Sequence, residues 1–235
     1  MKTRVTLIEF HGYREWTESL GYDREWKIQL VQSRLYYEIQ RTAASVNAYA
    51  LPLRYDYMIV LSSSMGYDAH KELFEAASSE SPVPVRMYSA VDEEPAAALN
   101  KAFKYIRGME DASFTIEPVG DDEYTAVAHV DINSVTGYTM RYGVLESYRK
   151  TMDVLMELIR IGSLHSGVTQ YLGGDNILVV FPPSKWREAS RKLLFDWVKV
   201  GGGRARFARK SMELATRALD MIRQGLSTAV NLLEE

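Results

Sequence analysis

There is no cysteine anywhere in the chain. That excludes disulfides, thiol nucleophiles and every Cys-ligated zinc or iron–sulfur centre. Histidine is scarce too, with four dispersed residues. No run of about 18 apolar residues occurs, so no membrane-crossing helix is expected. The segment Met1–Phe10 alternates and lacks the apolar core of a signal peptide. Neither sign of charge is in excess: 28 Lys and Arg face 31 Asp and Glu, a net charge of −3. A general nucleic-acid binder normally carries a basic excess. With 7 Pro and 15 Gly among 235 residues, 46% of them hydrophobic, collagen-like and disordered readings fall away. The expectation is a soluble, cytoplasmic protein without a nucleic-acid or membrane partner.

The length suits two compact domains. A strand is predicted at Arg4–Phe10 and a long helix from about Asp23 to Asn47, with Leu30, Leu35, Ile39 and Ala43 near one face. A hairpin follows around Arg54-Tyr55-Asp56-Tyr57, then a helix at about Ala69–Ser78 and a strand at Val83–Ala90. Pro95 suits the first turn of a helix running to about Met109, and Ser113–Val119 closes this half as a strand. The order then restarts. A strand at Thr125–Asp131 leads to a helix at about Arg141–Gly162 and a hairpin around Leu172-Gly173-Gly174-Asp175-Asn176. A helix at Lys185–Trp197, a short strand Val198–Val200, a triple glycine and a helix at about Phe207–Arg223 complete the second half. A shift of 119 residues lays the first hairpin on the second, Asp56 on Asp175. A shift of 120 lays Val5–Phe10 on Thr125–Val130. Tandem copies of one unit follow, residues 1–120 and 121–235, divided near Gly120-Asp121-Asp122. Each reads as an α+β, ferredoxin-like domain, an antiparallel sheet with helices on one face.

Two carboxylates stand out. Asp131 ends an apolar strand in His129-Val130-Asp131-Ile132-Asn133, and Asp175 follows Gly173 and Gly174 in a tight turn. If strand and hairpin are neighbours, both carboxylates reach one end of the sheet. With the Ile132 carbonyl they form a hard-oxygen set suited to Mg²⁺, which keeps waters and takes phosphate oxygens as further ligands. The two glycines let an anion approach the backbone. Gly-Gly-Asp-Asn reads equally as an ordinary hairpin turn. His129 shares a strand face with Asp131, two residues on, and also reads as core. His11 suits a base or a base-edge contact near neutral pH, or a plain surface histidine. Asn133 could contact a base or a cation, or serve as a turn residue. Arg204, after Gly201-Gly202-Gly203 and ahead of a helix, could hold triphosphate oxygens, or belong to a flexible basic loop. It is not a Walker P-loop.

The segments His129–Gly137 and Gly173-Gly174-Asp175-Asn176, with Leu30-Val31-Gln32-Ser33-Arg34-Leu35-Tyr36 and Trp16-Thr17, resemble the archaeal GTP cyclohydrolase III family in order and across both halves. The resemblance implies palm-like, nucleotidyl-cyclase-like domains, GTP as substrate, Mg²⁺ as cofactor with a monovalent cation such as K⁺ as a candidate second, and a homo-oligomer, dimer or tetramer. It implies opening of the guanine imidazole ring with release of pyrophosphate. The product is a formylamino-pyrimidine nucleotide for flavin and deazaflavin synthesis. It also implies that Gln32, Ser33, Arg34, Asn133, Gly173, Gly174 and Asn176 contact nucleotide, with Arg204 a further candidate on its own chemistry. Asp131 and Asp175 are the implied catalytic pair, and His11 joins them as a catalytic candidate on its own imidazole chemistry. The family's first-strand aspartate aligns with His11, whereas Arg54-Tyr55-Asp56 keeps the Arg-x-Asp of its first hairpin. His11 and Glu9 are candidates for the base. Rival readings are a nucleotidyl-cyclase-like phosphoryl transferase and a non-catalytic nucleotide-binding homologue.

Overall fold

The computed structural model describes residues 1–235 as two five-stranded sheets, each sandwiched between helices. The first half runs β1 (Thr3–Phe10), α1 (Tyr13–Ser19), α2 (Glu25–Ser45), β2 (Tyr49–Leu51), β3 (Tyr57–Leu61), α3 (Tyr67–Glu80), β4 (Val85–Asp92), α4 (Pro95–Ile106) and β5 (Ser113–Ile116). The second runs β6 (Thr125–Ile132), α5 (Val135–Tyr142), α6 (Val144–Leu164), β7 (Val168–Gly173), β8 (Asn176–Phe181), α7 (Trp186–Lys192), β9 (Val198–Ala205), α8 (Ala208–Arg223) and β10 (Val230–Glu234). Strand orders are β2-β3-β1-β4-β5 and β10-β9-β6-β8-β7. The α+β expectation holds, with two differences. Each sheet is mixed, because β5 pairs parallel to β4 and β10 parallel to β9. Each sheet also carries helices on both faces.

The reason lies in β1 and β6, whose residues are buried almost throughout. A strand buried on both sides must be covered on both. In β1, Ile8 and Phe10 pack under α2 and α3 with Leu35, Ile39 and Leu73. Val5 and Leu7, on the opposite face, meet Ala98, Ala102 and Ile106 of α4. In β6, Ala128 and Val130 pack against α6 and α7 through Leu158 and Trp186. Val127 joins Ala208 and Ala215 of α8 in the same cluster as Val5 and Leu7. The inner faces of the two sheets therefore share one core. Two corresponding contacts tie it: Arg209 N donates to the Asn47 carbonyl (3.1 Å) and Ala96 N to the Ser166 carbonyl (3.4 Å). Asn47 and Ser166 are 119 residues apart, and both have left-handed backbone (φ 63° and 56°). The first turn of each inner helix thus docks on the other half.

Between the halves, Arg4 and Glu123 form a fully buried bidentate pair, Nε to Oε2 at 2.9 Å and Nη2 to Oε1 at 2.7 Å. Arg4 also donates to Ser89 Oγ and to the carbonyls of Glu117 and Pro118.

Four local expectations change. Leu30 is solvent-exposed at 62%, and Ile28 joins Leu35, Ile39 and Ala43 in the buried seam of α2; five residues at about 100° each put Leu30 far round from Leu35. The helix expected at Arg141–Gly162 begins earlier and is two helices, broken at Gly143 with φ 90°. The helix expected to reach Trp197 ends at Lys192. The triple glycine is no loop but the middle of β9. A Cβ on Gly203 would collide with the Ser211 carbonyl, and one on Gly201 with the Ala215 carbonyl. Helix α8 lies directly on bare strand backbone there, and Gly202 faces Trp186 on the other side.

Candidate functional site

Asp131 and Asp175 are brought together as the strand–hairpin arrangement requires. Asp131 pairs with Asn176 across β6 and β8, and Ile132 N donates to the Asp175 carbonyl at 3.0 Å. The turn holding Asp175 depends on Gly173 and Gly174, with φ 111° and 60°, a region costly for other residues. A Cβ on Gly173 would meet nothing within 4 Å, so the backbone is open on that side. Asn176 organises the tip: its Nδ2 donates to Asp175 Oδ1 (2.7 Å), and its Oδ1 accepts from His129 Nε2–H (2.8 Å). That leaves His129 Nδ1 buried without a partner. Burial pushes the His129 imidazole below its ordinary pKa, against the opposing pull of Asn176 and Asp131, so it is neutral at pH 7.

Two cations met by Asp131 were not foreseen. Arg223, at the end of α8, donates to Oδ1 at 2.6 Å, and Lys199 Nζ stands 3.9 Å from Oδ2. The Asp131 hydrogen bond holds the Arg223 guanidinium above its ordinary pKa. Asp131 is 5% exposed, whereas the Arg223 side chain is 45% exposed and is also held by Asp220 through Nη1 at 3.1 Å. Asn133 N donates to the Trp197 carbonyl, and its Oδ1 is buried without a partner. The donors near the tip are hard oxygens, the set that suits Mg²⁺. No three His, Asp or Glu side chains are gathered to chelate an ion; Mg²⁺ commonly binds through one or two carboxylates plus substrate phosphates. Beside the tip lies a cleft of about 550 Å³ lined by His129, Gly173, Asn176, Arg209, Glu213 and Thr216. That volume is in the range of small-ligand sites.

Other expected residues lie elsewhere. Arg204 is no phosphate cradle: it sits within β9, paired with Glu234 (2.7 Å), bonded to the Pro183 carbonyl and against the rings of Tyr124 and Trp186. Gln32, Ser33 and Arg34 lie on α2 in the first half. Gln32 donates to Tyr13 Oη (2.9 Å), Ser33 to the Gln29 carbonyl, and Arg34 stands 3.8 Å from Glu80. They are not gathered with Asp131 and Asp175. His11 is half-exposed, 3.8 Å from Asp111.

Strand register corrects the repeat. Tyr57 and Asn176 correspond by the 119-residue shift. Tyr57 pairs with Glu9, while Asn176 pairs with Asp131. On the other side Glu9 faces Arg86, and Asp131 faces Lys199. The counterpart of Asp131 is therefore Glu9, a shift of 122 rather than 120, and the first strand carries a carboxylate at that position. A signal was present: Glu9 is a lone charge between Ile8 and Phe10.

A family model described as GTP cyclohydrolase III matches residues 5–233. A GTP cyclohydrolase III of Aeropyrum pernix is 40% identical over 226 residues, covering 95% of this chain and 93% of that one. One of Saccharolobus solfataricus is 29% identical over 234 residues, covering 99% and 100%. Among solved structures, a bacterial light-regulated adenylyl cyclase aligns over 99% of this chain and 85% of its own at 11% identity, with a TM-score of 0.42. A GGDEF domain of Pseudomonas aeruginosa covers 49% of this chain and 85% of its own at 16% identity and a TM-score of 0.39. Likenesses that loose carry no argument. The sequence match runs through both sheets and the Asp131–Asp175 tip, and on it the chain belongs to the GTP cyclohydrolase III family.

Proposed function

We propose that this protein is a GTP cyclohydrolase of the third type, opening the imidazole ring of GTP and releasing pyrophosphate to give the formylamino-pyrimidine nucleotide. The family match across residues 5–233 carries the reading. The meeting of Asp131 and Asp175 at one sheet end supports it.

In this proposal Asp131, Asp175 and the Ile132 carbonyl hold Mg²⁺, and a monovalent cation such as K⁺ is a further candidate. Bound there, the ion would neutralise phosphate charge and lower the pKa of a coordinated water. For an ion to be held there, Arg223 would have to release Asp131 Oδ1, one compensating charge standing in for another. Lys199 remains beside the carboxylate. Asn176 fixes the Asp175 carboxylate, and neutral His129 fixes Asn176. Open backbone at Gly173 admits the triphosphate, and the cleft lined by His129, Asn176 and Glu213 receives the base. The outer face of α6 exposes Leu145, Tyr148, Met156 and Ile159, an apolar stripe that supports assembly into a homo-oligomer. No helix is long and apolar enough to cross a membrane.

Incubation with GTP and Mg²⁺, followed by mass analysis, tests the reading. Formylamino-pyrimidine monophosphate with pyrophosphate is the expected outcome. A cyclic or dinucleotide product, or unchanged GTP, would refute it.

A further inference from the structure

The first half holds a second acidic pair at the position matching the Asp131–Asp175 tip. Glu9 ends its strand beside Tyr57, as Asp131 does beside Asn176. Asp56 follows Tyr55, whose φ of 67° matches that of Gly174 at 60°. Phe10 N donates to the Asp56 carbonyl at 3.0 Å, as Ile132 N does to Asp175.

The two pairs differ in how their charges are met. In the first half Glu9 Oε1 accepts from Tyr57 Oη at 2.7 Å, but Glu9 Oε2 is buried with no hydrogen-bond partner. Asp56 Oδ2 accepts from Arg54 at 2.8 Å, but Asp56 Oδ1 is likewise buried and unpartnered. Both residues line one small cavity of about 160 Å³, together with His11 and Tyr13. Glu9 is 8% exposed, so solvent does little for its free oxygen. Arg86 is the nearest cation, 3.6 Å from Glu9 Oε2. Its Nη1 meets Glu9 as an ion pair without hydrogen-bond geometry, while its Nε and Nη2 bind Asp111, at 2.9 and 2.6 Å. Glu9, Asp56 and Asp111 against Arg86 and Arg54 leave the neighbourhood one negative charge in excess. His11 lies across the cavity mouth, half-exposed.

A buried carboxylate oxygen without a hydrogen bond is costly to leave so. Two of them, on residues that line one cavity in a chain without thiols, match a hard divalent cation that keeps part of its water shell. We propose that Glu9 and Asp56 form a divalent-cation site of the Mg²⁺ and Mn²⁺ class in the first half, separate from the Asp131–Asp175 pair. The site does not rest on the cyclohydrolase reading and requires no nucleotide.

Mn²⁺ is the probe, because its free ion is counted by electron paramagnetic resonance. The full chain is titrated as wild type, Glu9→Gln, Asp56→Asn and Asp131→Asn, with thermal melts in parallel. Glu9→Gln and Asp56→Asn are each expected to lose the same Mn²⁺ equivalent, with affinity falling at least about tenfold. Asp131→Asn is expected to keep it. Mn²⁺ should raise the melting temperature of the wild type more than that of Glu9→Gln. If Glu9→Gln fails to fold, Asp56→Asn decides, since its side chain is a quarter exposed. Binding curves for Glu9→Gln and Asp56→Asn that overlay the wild type would overturn the site. So would a single Mn²⁺ equivalent lost only in Asp131→Asn. A single equivalent lost only in the first-half variants would uphold it and remove Mn²⁺ from Asp131.

Discussion

Replacing Glu123 by glutamine should destabilise the whole protein by about 4 kcal/mol, within the roughly 3–5 expected when a buried ion pair loses one partner. Four donors converge on this carboxylate: Arg4 Nε at 2.9 Å, Arg4 Nη2 at 2.7 Å, Gly120 N at 2.9 Å and Ser64 N at 2.9 Å. Burial alone would raise its pKa, but Arg4 and the two backbone N–H groups outweigh burial and hold it below the usual carboxylate range. A glutamine keeps one acceptor oxygen and turns an NH₂ toward the remaining donors. It also leaves the Arg4 guanidinium, fully buried, without its counter-charge. Arg4→Met should cost about 3 kcal/mol by the converse loss. The double change Arg4→Met with Glu123→Leu should cost much less than the sum, since neither charge is stranded; the coupling should be about 2–3 kcal/mol. Urea unfolding followed by circular dichroism measures all three, and Glu123→Gln should lower the melting temperature by about 8–16 °C for a chain of this length. Additive single costs, or a loss under about 1 kcal/mol for Glu123→Gln, would refute the reasoning.

His70 offers a pH test. Its Nδ1–H donates to the Gly66 carbonyl (2.8 Å), so Nε2 accepts from the Thr6 hydroxyl (3.0 Å), and burial pushes its pKa down to about 4. Its folded pKa lies below its unfolded one of about 6.5. The contribution is therefore complete above pH 6.5 and lost as pH falls toward 4, about 2 kcal/mol of it by pH 5. His70→Gln should abolish that slope in urea titrations between pH 7 and 5; an unchanged slope counts against it. Gly203→Ala must push α8 off its strand and should cost about 3 kcal/mol in the same unfolding assay; a wild-type midpoint would contradict the close packing. Asp131→Asn and Asp175→Asn should each slow pyrophosphate release from GTP at least about 100-fold, roughly 2.7 kcal/mol, with melts near wild type. Activity retained in both would remove the second-half tip from catalysis.

Local signals carried the element order. Pro95 opens α4, the alternation into Asp56 and Asp175 marks both hairpins, and the strand ending at Asp131 is where its apolar run placed it. What stayed hidden depends on partners distant in sequence. A Gly-Gly-Gly run favours a loop on propensity, yet α8 requires a strand there without side chains. Arg223 reaches Asp131 across 92 positions, a pairing no spacing rule could anticipate. The two-residue slip that makes Glu9, rather than His11, the counterpart of Asp131 is set by hydrogen-bond register, which matching residues by a constant shift cannot see.

The shared inner core has a consequence for how a chain built of two such halves can change. Val5, Leu7, Val127 and Ala215 lie in one cluster, and each inner helix starts on a residue of the opposite half. Neither half can be deleted without stripping the other of cover, so both are retained for folding whatever chemistry they perform. The pocket residues of either half are then free to drift while the scaffold beneath them is not. Such a molecule should melt in one cooperative step, with its two halves a single thermodynamic unit.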